Sequence, residues 1–219
     1  MSWRWVDGVA VPDALGGHPA LDLCNTRAGW GAARPKEYLT SPRALVIWCR
    51  ENRLLDPELA TRLEGRAAAD PGAADAVLRR VLALREALYP LALGRDDPEG
   101  WSLLGREATE ARAADQLVPV PPGGVPDSGA RAVWRPDDRP GLGLALAAVA
   151  VAAADLLTSP AGTSVAACPG EGCGWVFTDP RRRRRWCSMA VCGNRAKARR
   201  FAQRRRETDE PARTGAGRG

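Results

Sequence analysis

Four cysteines in the last quarter of the chain have the type and spacing of a metal site. Cys168 and Cys173 form one C-x-x-x-x-C pair, and Cys187 and Cys192 form a second. Zinc in structural sites prefers a closed tetrahedron of thiolate and imidazole ligands, which usually arrive as two close pairs separated by a longer span. The pattern therefore predicts one structural Zn²⁺ held by all four thiolates.

Metal-free or disulfide-bonded cysteines are the alternative to a zinc site. The residues after Met1 show no secretory signal, so we expect a cytoplasmic protein, and in the cytoplasm disulfides rarely persist. Cys24 and Cys49 stand alone among apolar neighbours, which is typical of buried, small hydrophobic side chains rather than ligands.

Enzymatic chemistry at this metal is not expected. Hydrolytic zinc sites keep one coordination position open for water, whereas four thiolates would fill the tetrahedron. Water activation also needs a general base, and the chain's single histidine, His18, lies at the other end of the sequence.

An arginine-rich segment surrounds the second cysteine pair. Residues 181–206 hold 12 basic residues and no acidic one, and residues 168–219 hold 14 basic against 5 acidic residues, a net charge of +9. Because the whole chain carries +6, residues 1–167 sum to −3. A four-thiolate zinc site carries about −2 and could hold one or two arginines around it, so the excess predicts an external polyanion.

A helix is predicted over residues 188–206, with Ser188 as its N-cap. Arginines would lie on both sides of a narrow stripe that docks on the finger's aromatic residues. The stripe is Val191, Asn194, Ala198, Phe201 and Arg205, and the aromatic residues are Trp175, Phe177 and Trp186. Such a helix suits phosphate contacts on the two sides of a groove. The candidate nucleic-acid contacts are Arg181, Arg182, Arg183, Arg184, Arg185, Arg195, Lys197, Arg199, Arg200 and Arg204.

Double-stranded DNA is the favoured partner of this segment, and three alternatives stay open. They are an RNA or the ribosome, an acidic protein surface bound by an adaptor, and a solvated basic helix with no partner. The finger's aromatic side chains discriminate between the nucleic acids, because buried rings favour a helix in a DNA groove and exposed rings could stack on unpaired bases.

Residues 168–201 resemble the CGNR zinc-finger family, whose name is spelled here by Cys192, Gly193, Asn194 and Arg195. In that family the finger follows an ABATE domain, and the segment Gly16–Arg27, with Leu21-Asp22-Leu23-Cys24-Asn25-Thr26, is similar to the opening motif of that domain. The resemblance implies a stress-induced transcription regulator. The five consecutive arginines between the cysteine pairs make this loop more basic than the family's usual one.

The chain is predicted to be α+β and mostly α, and to begin with an α-rich domain at residues 1–160. Residues 163–206 are predicted to form a treble-clef-like zinc finger, which consists of a knuckle hairpin and a helix. Residues 207–219 are predicted to be a disordered tail. Short strands are predicted at 3–6 and 20–24, and a hairpin within 117–139. Helices are predicted from Pro42 towards Leu55, from Pro57, over 73–93 and from Pro98 to about Gln116. The apolar run 142–157 is shorter than a membrane span, so we expect a buried central helix and no membrane partner.

A polar group near the amino terminus could line a pocket for a small effector. It consists of His18, Asp22, Asn25 and Thr26, set beside apolar residues. The competing interpretation, which we favour, is that these side chains only form hydrogen bonds within turns and helix caps, with Asn25 and Thr26 bonded to local backbone. The sequence leaves the effector and the oligomeric state open.

Overall fold

The computed structural model describes residues 2–120, 131–136 and 141–209. Helices dominate this part of the chain, and its strands form four two-stranded antiparallel hairpins. The helices are α1 (Pro19–Cys24), α2 (Pro42–Glu51), α3 (Pro57–Ala69), α4 (Pro71–Ala92), α5 (Pro98–Ala113), α6 (Leu144–Thr158) and α7 (Asn194–Asp209). The strands are β1 (Trp3–Val6), β2 (Val9–Pro12), β3 (Arg27–Ala28), β4 (Lys36–Glu37), β5 (Asp115–Pro119), β6 (Ala132–Pro136), β7 (Val165–Ala167) and β8 (Val176–Thr178). The mostly helical α+β prediction is confirmed.

Helices α2 to α5 each start with a capping side chain followed by proline. The cap satisfies a free backbone N–H of the first turn, and proline loses nothing there because its position needs no donor. The caps are Ser41, Asp56, Asp70 and Asp97, which accept from the amides of Ala44, Leu59, Ala73 and Gly100. The predicted starts at Pro42, Pro57 and Pro98 are confirmed.

The strand predicted at residues 20–24 was wrong, because this segment is helix α1. His18 caps the helix by accepting from the Ala20 amide, and Pro19 occupies its first turn. Every residue from Ala20 to Cys24 is buried. A short helix surrounded by core on all sides therefore has the continuous apolar pattern of a buried strand.

Helix α6 is the centre of the larger hydrophobic core, as predicted for the apolar run. Its side chains pack against α4 and α5, and Leu144, Val149 and Leu156 are fully buried. By length and apolarity alone the stretch Gly141–Thr158 could cross a membrane, yet half of it is buried inside the protein. Its hydrophobicity is therefore accounted for by the core.

The predicted hairpin after α5 is formed by β5 and β6. Strand β5 begins at Asp115, so α5 ends at Ala113, short of the predicted Gln116. Helix α4 continues through Pro90 to Ala92, close to its predicted end. Residues 207–209, predicted to belong to a disordered tail at 207–219, are instead the last residues of α7. Residues 121–130 and the rest of the predicted tail, 210–219, lie outside the described residues.

A buried ion pair holds the β3–β4 hairpin on α4. Arg85 is 2% exposed and donates two hydrogen bonds of 2.7 Å to the Glu37 carboxylate and one of 3.0 Å to the Thr26 hydroxyl. Burying a guanidinium costs free energy unless it is paired in this way. The pair fixes the hairpin that carries the carboxy-terminal cysteine module.

Candidate metal centre and basic surface

The four predicted cysteines converge on one point. All four sulfur atoms lie within 4.8 Å of one another, and the Cys173–Cys187 and Cys187–Cys192 sulfurs are each 3.6 Å apart. Sulfurs at about 2.3 Å from a tetrahedral zinc would be separated by about 3.8 Å, whereas a disulfide needs about 2.05 Å. The four side chains are 1–4% exposed. The cluster therefore fits one structural Zn²⁺ ion.

The first cysteine pair sits on the turn that joins β7 to β8. The turn is closed by hydrogen bonds from the Cys168 amide to the Trp175 carbonyl (2.7 Å) and from the Cys173 amide to the Gly170 carbonyl (2.9 Å). Gly170 passes so close to the sulfurs that a Cβ atom there would lie 3.1 Å from the Cys192 sulfur. Glycine at this position therefore lets the turn pass this close to the sulfurs, which a Cβ atom would crowd by a few tenths of an ångström.

The second pair brackets the start of the last helical segment. Ser188 caps this segment as predicted, because its hydroxyl accepts from the Val191 amide at 3.3 Å. The first turn, Met189–Gly193, is a π-helical turn that carries Cys192, and α7 continues from it. The wider turn allows Cys187 and Cys192, five residues apart, to point at one ion.

The clustered cysteines shift one another's pKa in opposite directions. Hydrogen bonds from the Cys173 and Cys187 thiols lower the pKa of Cys168, and the same contacts raise the pKa of Cys173 and of Cys187. Burial raises the pKa of Cys24 and of Cys49 far above the usual value, so both stay neutral thiols. The prediction that these two are buried apolar side chains is confirmed.

The metal site shares a small hydrophobic core with the helical domain. Trp175 and Phe177 are 0% and 1% exposed and pack with the cysteines, Ala28 and Tyr38. Trp186 and Val191 are partly buried against the same cluster. The rest of the predicted stripe does not dock, since Phe201 is 65% exposed. That part of the prediction was wrong because α7 packs on the π-helical turn and then leaves the body of the protein.

Asn25 joins the two parts of the molecule. Its side-chain amide donates to the Val176 carbonyl at 2.9 Å, and its side-chain carbonyl accepts from the Val176 amide at 2.8 Å. Asn25 thus occupies the position of a further strand beside β8. The residue is completely buried and lies 151 positions from its partner. The interpretation that the Asn25 side chain bonds to local backbone was therefore wrong, and nothing local in the sequence signals the pairing with Val176.

The other residues of the predicted effector pocket also have partners inside the protein. His18 caps α1, the Asp22 carboxylate accepts from the Gly16 amide at 2.7 Å, and the Thr26 hydroxyl donates to the Leu23 carbonyl at 2.6 Å. Burial raises the pKa of Asp22 to about 6. These hydrogen bonds belong to turns and a helix cap, as the competing interpretation predicts. Binding of a small effector at this site stays a prediction.

A second set of contacts ties the first cysteine turn to the helical domain. The amides of Gly29 and Trp30 both donate to the Cys173 carbonyl, at 3.1 and 3.2 Å. The Tyr89 hydroxyl donates to the Gly174 carbonyl at 2.8 Å, and its ring stacks on Trp30 with centroids 3.8 Å apart. The metal turn is therefore held by backbone hydrogen bonds from the two residues that follow β3 and by Tyr89 of α4.

The arginine loop is organised by Asp179. Its carboxylate accepts from the amides of Arg183 and Arg184, at 2.9 and 2.8 Å. Arg184 turns inward, where it donates to the carbonyls of Trp186 and Cys187 and lies 4.3 Å from the Phe177 ring centre. The other four loop arginines are exposed. Arg184 therefore supports the metal turn and is not part of the exposed basic surface.

Helix α7 extends the basic surface away from the body. Arg199 pairs with Glu171 of the first cysteine turn, which fixes the start of the helix. Four predicted contacts on this helix, Arg195, Lys197, Arg200 and Arg204, are exposed. Loop and helix together present their cations on one module, and their role in binding stays a prediction.

We expect Asn25→Ala to loosen the junction between the finger and the helical domain. It leaves the buried amide and carbonyl of Val176 unpaired, which costs about 1–3 kcal/mol for each group. Chemical denaturation should show this loss, and Asn52→Ala, which removes one partly buried bond to the Trp48 carbonyl, serves as the matched control. Equal stabilities of the two variants would contradict the assigned role.

We expect zinc removal to unfold the finger and leave the helical core folded, because the ion supplies folding free energy to a unit too small for its own core. Hydrogen exchange should show lost protection at β7, β8 and residues 28–30, with α4 and α6 retained. Cys187→Ala should lower the zinc content from one ion per chain to none, whereas Cys49→Ala should keep it. Unchanged protection of β8 in metal-free protein would refute this expectation.

Sequence comparisons agree with this arrangement. Residues 17–160 match the ABATE family, described as "putative stress-induced transcription regulator", and residues 165–205 match the CGNR zinc finger. Neither is an enzyme family. Comparison with curated proteins finds no match. Because the first match spans well over half of the chain and the second covers the four-cysteine cluster, the protein belongs to the ABATE family and carries a carboxy-terminal CGNR zinc finger.

Proposed function

We propose that this protein is a cytoplasmic, zinc-dependent transcriptional regulator that binds double-stranded DNA through α7 and the arginine loop. One observation carries the proposal: α7 is a 16-residue helix that continues from the turn holding Cys192 and exposes every residue from 200 to 206. An α-helix of this diameter fits the major groove, and arginines on its two sides meet the phosphates that line it.

The loop and the helix have different parts in this proposal. Arg181, Arg182, Arg183 and Arg185 are exposed on a loop fixed by Asp179, so they would contact phosphates beside the groove. Arg195, Lys197, Arg200 and Arg204 on α7 would contact phosphates along it. Phe201, exposed among them, suits an apolar contact with a thymine methyl group.

Helix α7 is destabilised by its own like charges. Arg195 and Arg199, and likewise Arg200 and Arg204, are like charges four residues apart, which destabilise a helix by roughly 0.2–0.5 kcal/mol per pair. Since α7 receives little packing from the rest of the protein, a polyanion that neutralises these charges should stabilise it. Circular dichroism should show helix content rising when DNA is added.

We expect the double substitution Arg195→Ala and Arg200→Ala to weaken binding to a mixed-sequence duplex and to make it less dependent on salt. Each phosphate contact contributes roughly 0.9 to the slope of log K against log salt, so the slope should fall by about 1.8. Fluorescence anisotropy across a salt series measures both quantities.

The matched control is Arg79→Ala with Arg106→Ala, which removes the same charge from exposed positions on α4 and α5. This pair should leave the slope unchanged. If both double variants lower affinity equally, the protein binds DNA only through its net charge. If neither does, α7 is not the contact surface.

A further inference from the structure

The amino-terminal hairpin exposes two tryptophans side by side. Trp3 is 39% exposed and Trp5 is 67% exposed, and their rings meet edge to face with centroids 5.3 Å apart. Large aromatic side chains dominate the energetics of interfaces, so an exposed pair costs solubility unless it binds something.

The hairpin does not need these indoles for its own packing. Cross-strand partners share one face of a sheet, and here Trp3 faces Pro12 and Trp5 faces Ala10. The opposite face carries Val6, Val9 and the buried Val11, which pack on the main core. On the tryptophan side Pro12 is buried and Ala10 is half-buried against the cysteine cluster, so the hairpin is anchored on both faces and the two indoles stay exposed beside these contacts.

A cation lies against the tryptophan pair. The Lys36 ammonium is 4.9 Å from the Trp3 ring centre and 4.5 Å from that of Tyr38. Within the described residues no carboxylate pairs with Lys36, and Arg34 is exposed on the same β3–β4 connection. The two aspartates of the hairpin region are paired with arginines, Asp7 with Arg50 at 2.7 Å and Asp13 with Arg4 at 3.7 Å.

The tryptophan pair is fixed to the metal centre through two short steps. Lys36 pairs across the β3–β4 hairpin with Ala28, which is buried in the same cluster as the four cysteines. The next residue, Gly29, donates its amide to the Cys173 carbonyl. The β3–β4 hairpin therefore connects the tryptophan pair to the zinc finger.

We propose that Trp3, Trp5, Arg34 and Lys36 form a binding site for an unpaired nucleotide of a DNA strand. The base stacks on the exposed face of Trp5, which Trp3 holds from the side, and the two cations contact the flanking phosphates. Stacking on aromatic rings beside a basic groove is the general mode of single-strand binding, and every base has a face that can stack. The inference builds on the proposed function, because the finger supplies the contact with the adjoining duplex.

The test compares a blunt duplex with the same duplex carrying a short single-stranded overhang, using the full-length zinc-loaded protein and anisotropy. The wild type should bind the overhang DNA more tightly than the blunt duplex. Trp5→Ala should weaken overhang binding by about 5- to 150-fold and leave blunt-duplex binding unchanged. Trp5→Phe should keep most of the affinity, because it keeps an aromatic ring.

Trp101→Ala is the matched control, since Trp101 is 48% exposed on α5 and has no role in the proposal. Equal effects of Trp5→Ala and Trp101→Ala, or equal wild-type affinities for the two DNAs, would overturn the stacking site. A Trp5→Ala protein with unchanged DNA binding that loses a protein partner would overturn it as well. These outcomes are distinct from failure of the proposed function, in which the α7 variants bind the blunt duplex like the wild type.

Discussion

The pair of hydrogen bonds between Asn25 and Val176 determines how the rest of the molecule is arranged. Both groups of the Asn25 amide are used, at 2.8 and 2.9 Å, in a place from which water is excluded. An amide or carbonyl left unpaired there costs far more than a made bond contributes, so the two partners select each other. This requirement gives strand β8, which begins at Val176, one orientation on the helical domain, and the cysteines on either side of β8 follow it.

The metal site adds further contacts between the finger and the helical domain. Cys173 is a ligand, and its carbonyl accepts hydrogen bonds from Gly29 and Trp30, so the turn that holds the ion also forms part of the junction with the helical domain. Arg184 adds a second connection, because its guanidinium bonds to the carbonyl of Cys187 and covers Phe177. The zinc finger is therefore a part of the protein's core at one end and an exposed basic helix at the other. The position of α7 is set by the metal turn from which it continues and by the Arg199–Glu171 ion pair.

The features that the sequence predicted correctly depend on residues only a few positions apart in the chain. A capping side chain followed by proline identifies the start of α2, α3 and α5, and the spacing of the four cysteines identifies the metal site, because each depends on residues a few positions apart. Asn25 and Val176 are 151 residues apart, so no pattern of spacing connects them. The same reason explains α1, whose apolar sequence shows that it is buried and not which secondary structure it has. Phe201 was placed in a core that the helix does not reach, since periodicity states which residues share a face and not whether that face has a neighbour.

Charge separation gives the two parts of the chain different behaviour towards a polyanion. Residues 1–167 carry a net charge of −3 and residues 168–219 carry +9, and the finger is fixed to the acidic part by its buried contacts. The electric field of these opposite net charges orients the protein before contact, because a polyanion repels the acidic part and attracts the basic part. Because the finger is fixed to the helical domain by buried contacts, a rotation of that domain also rotates α7, the arginine loop and the tryptophan hairpin. On the proposed function, the helical domain is then the part that decides which surfaces reach DNA at the same time, even though its own charge opposes binding.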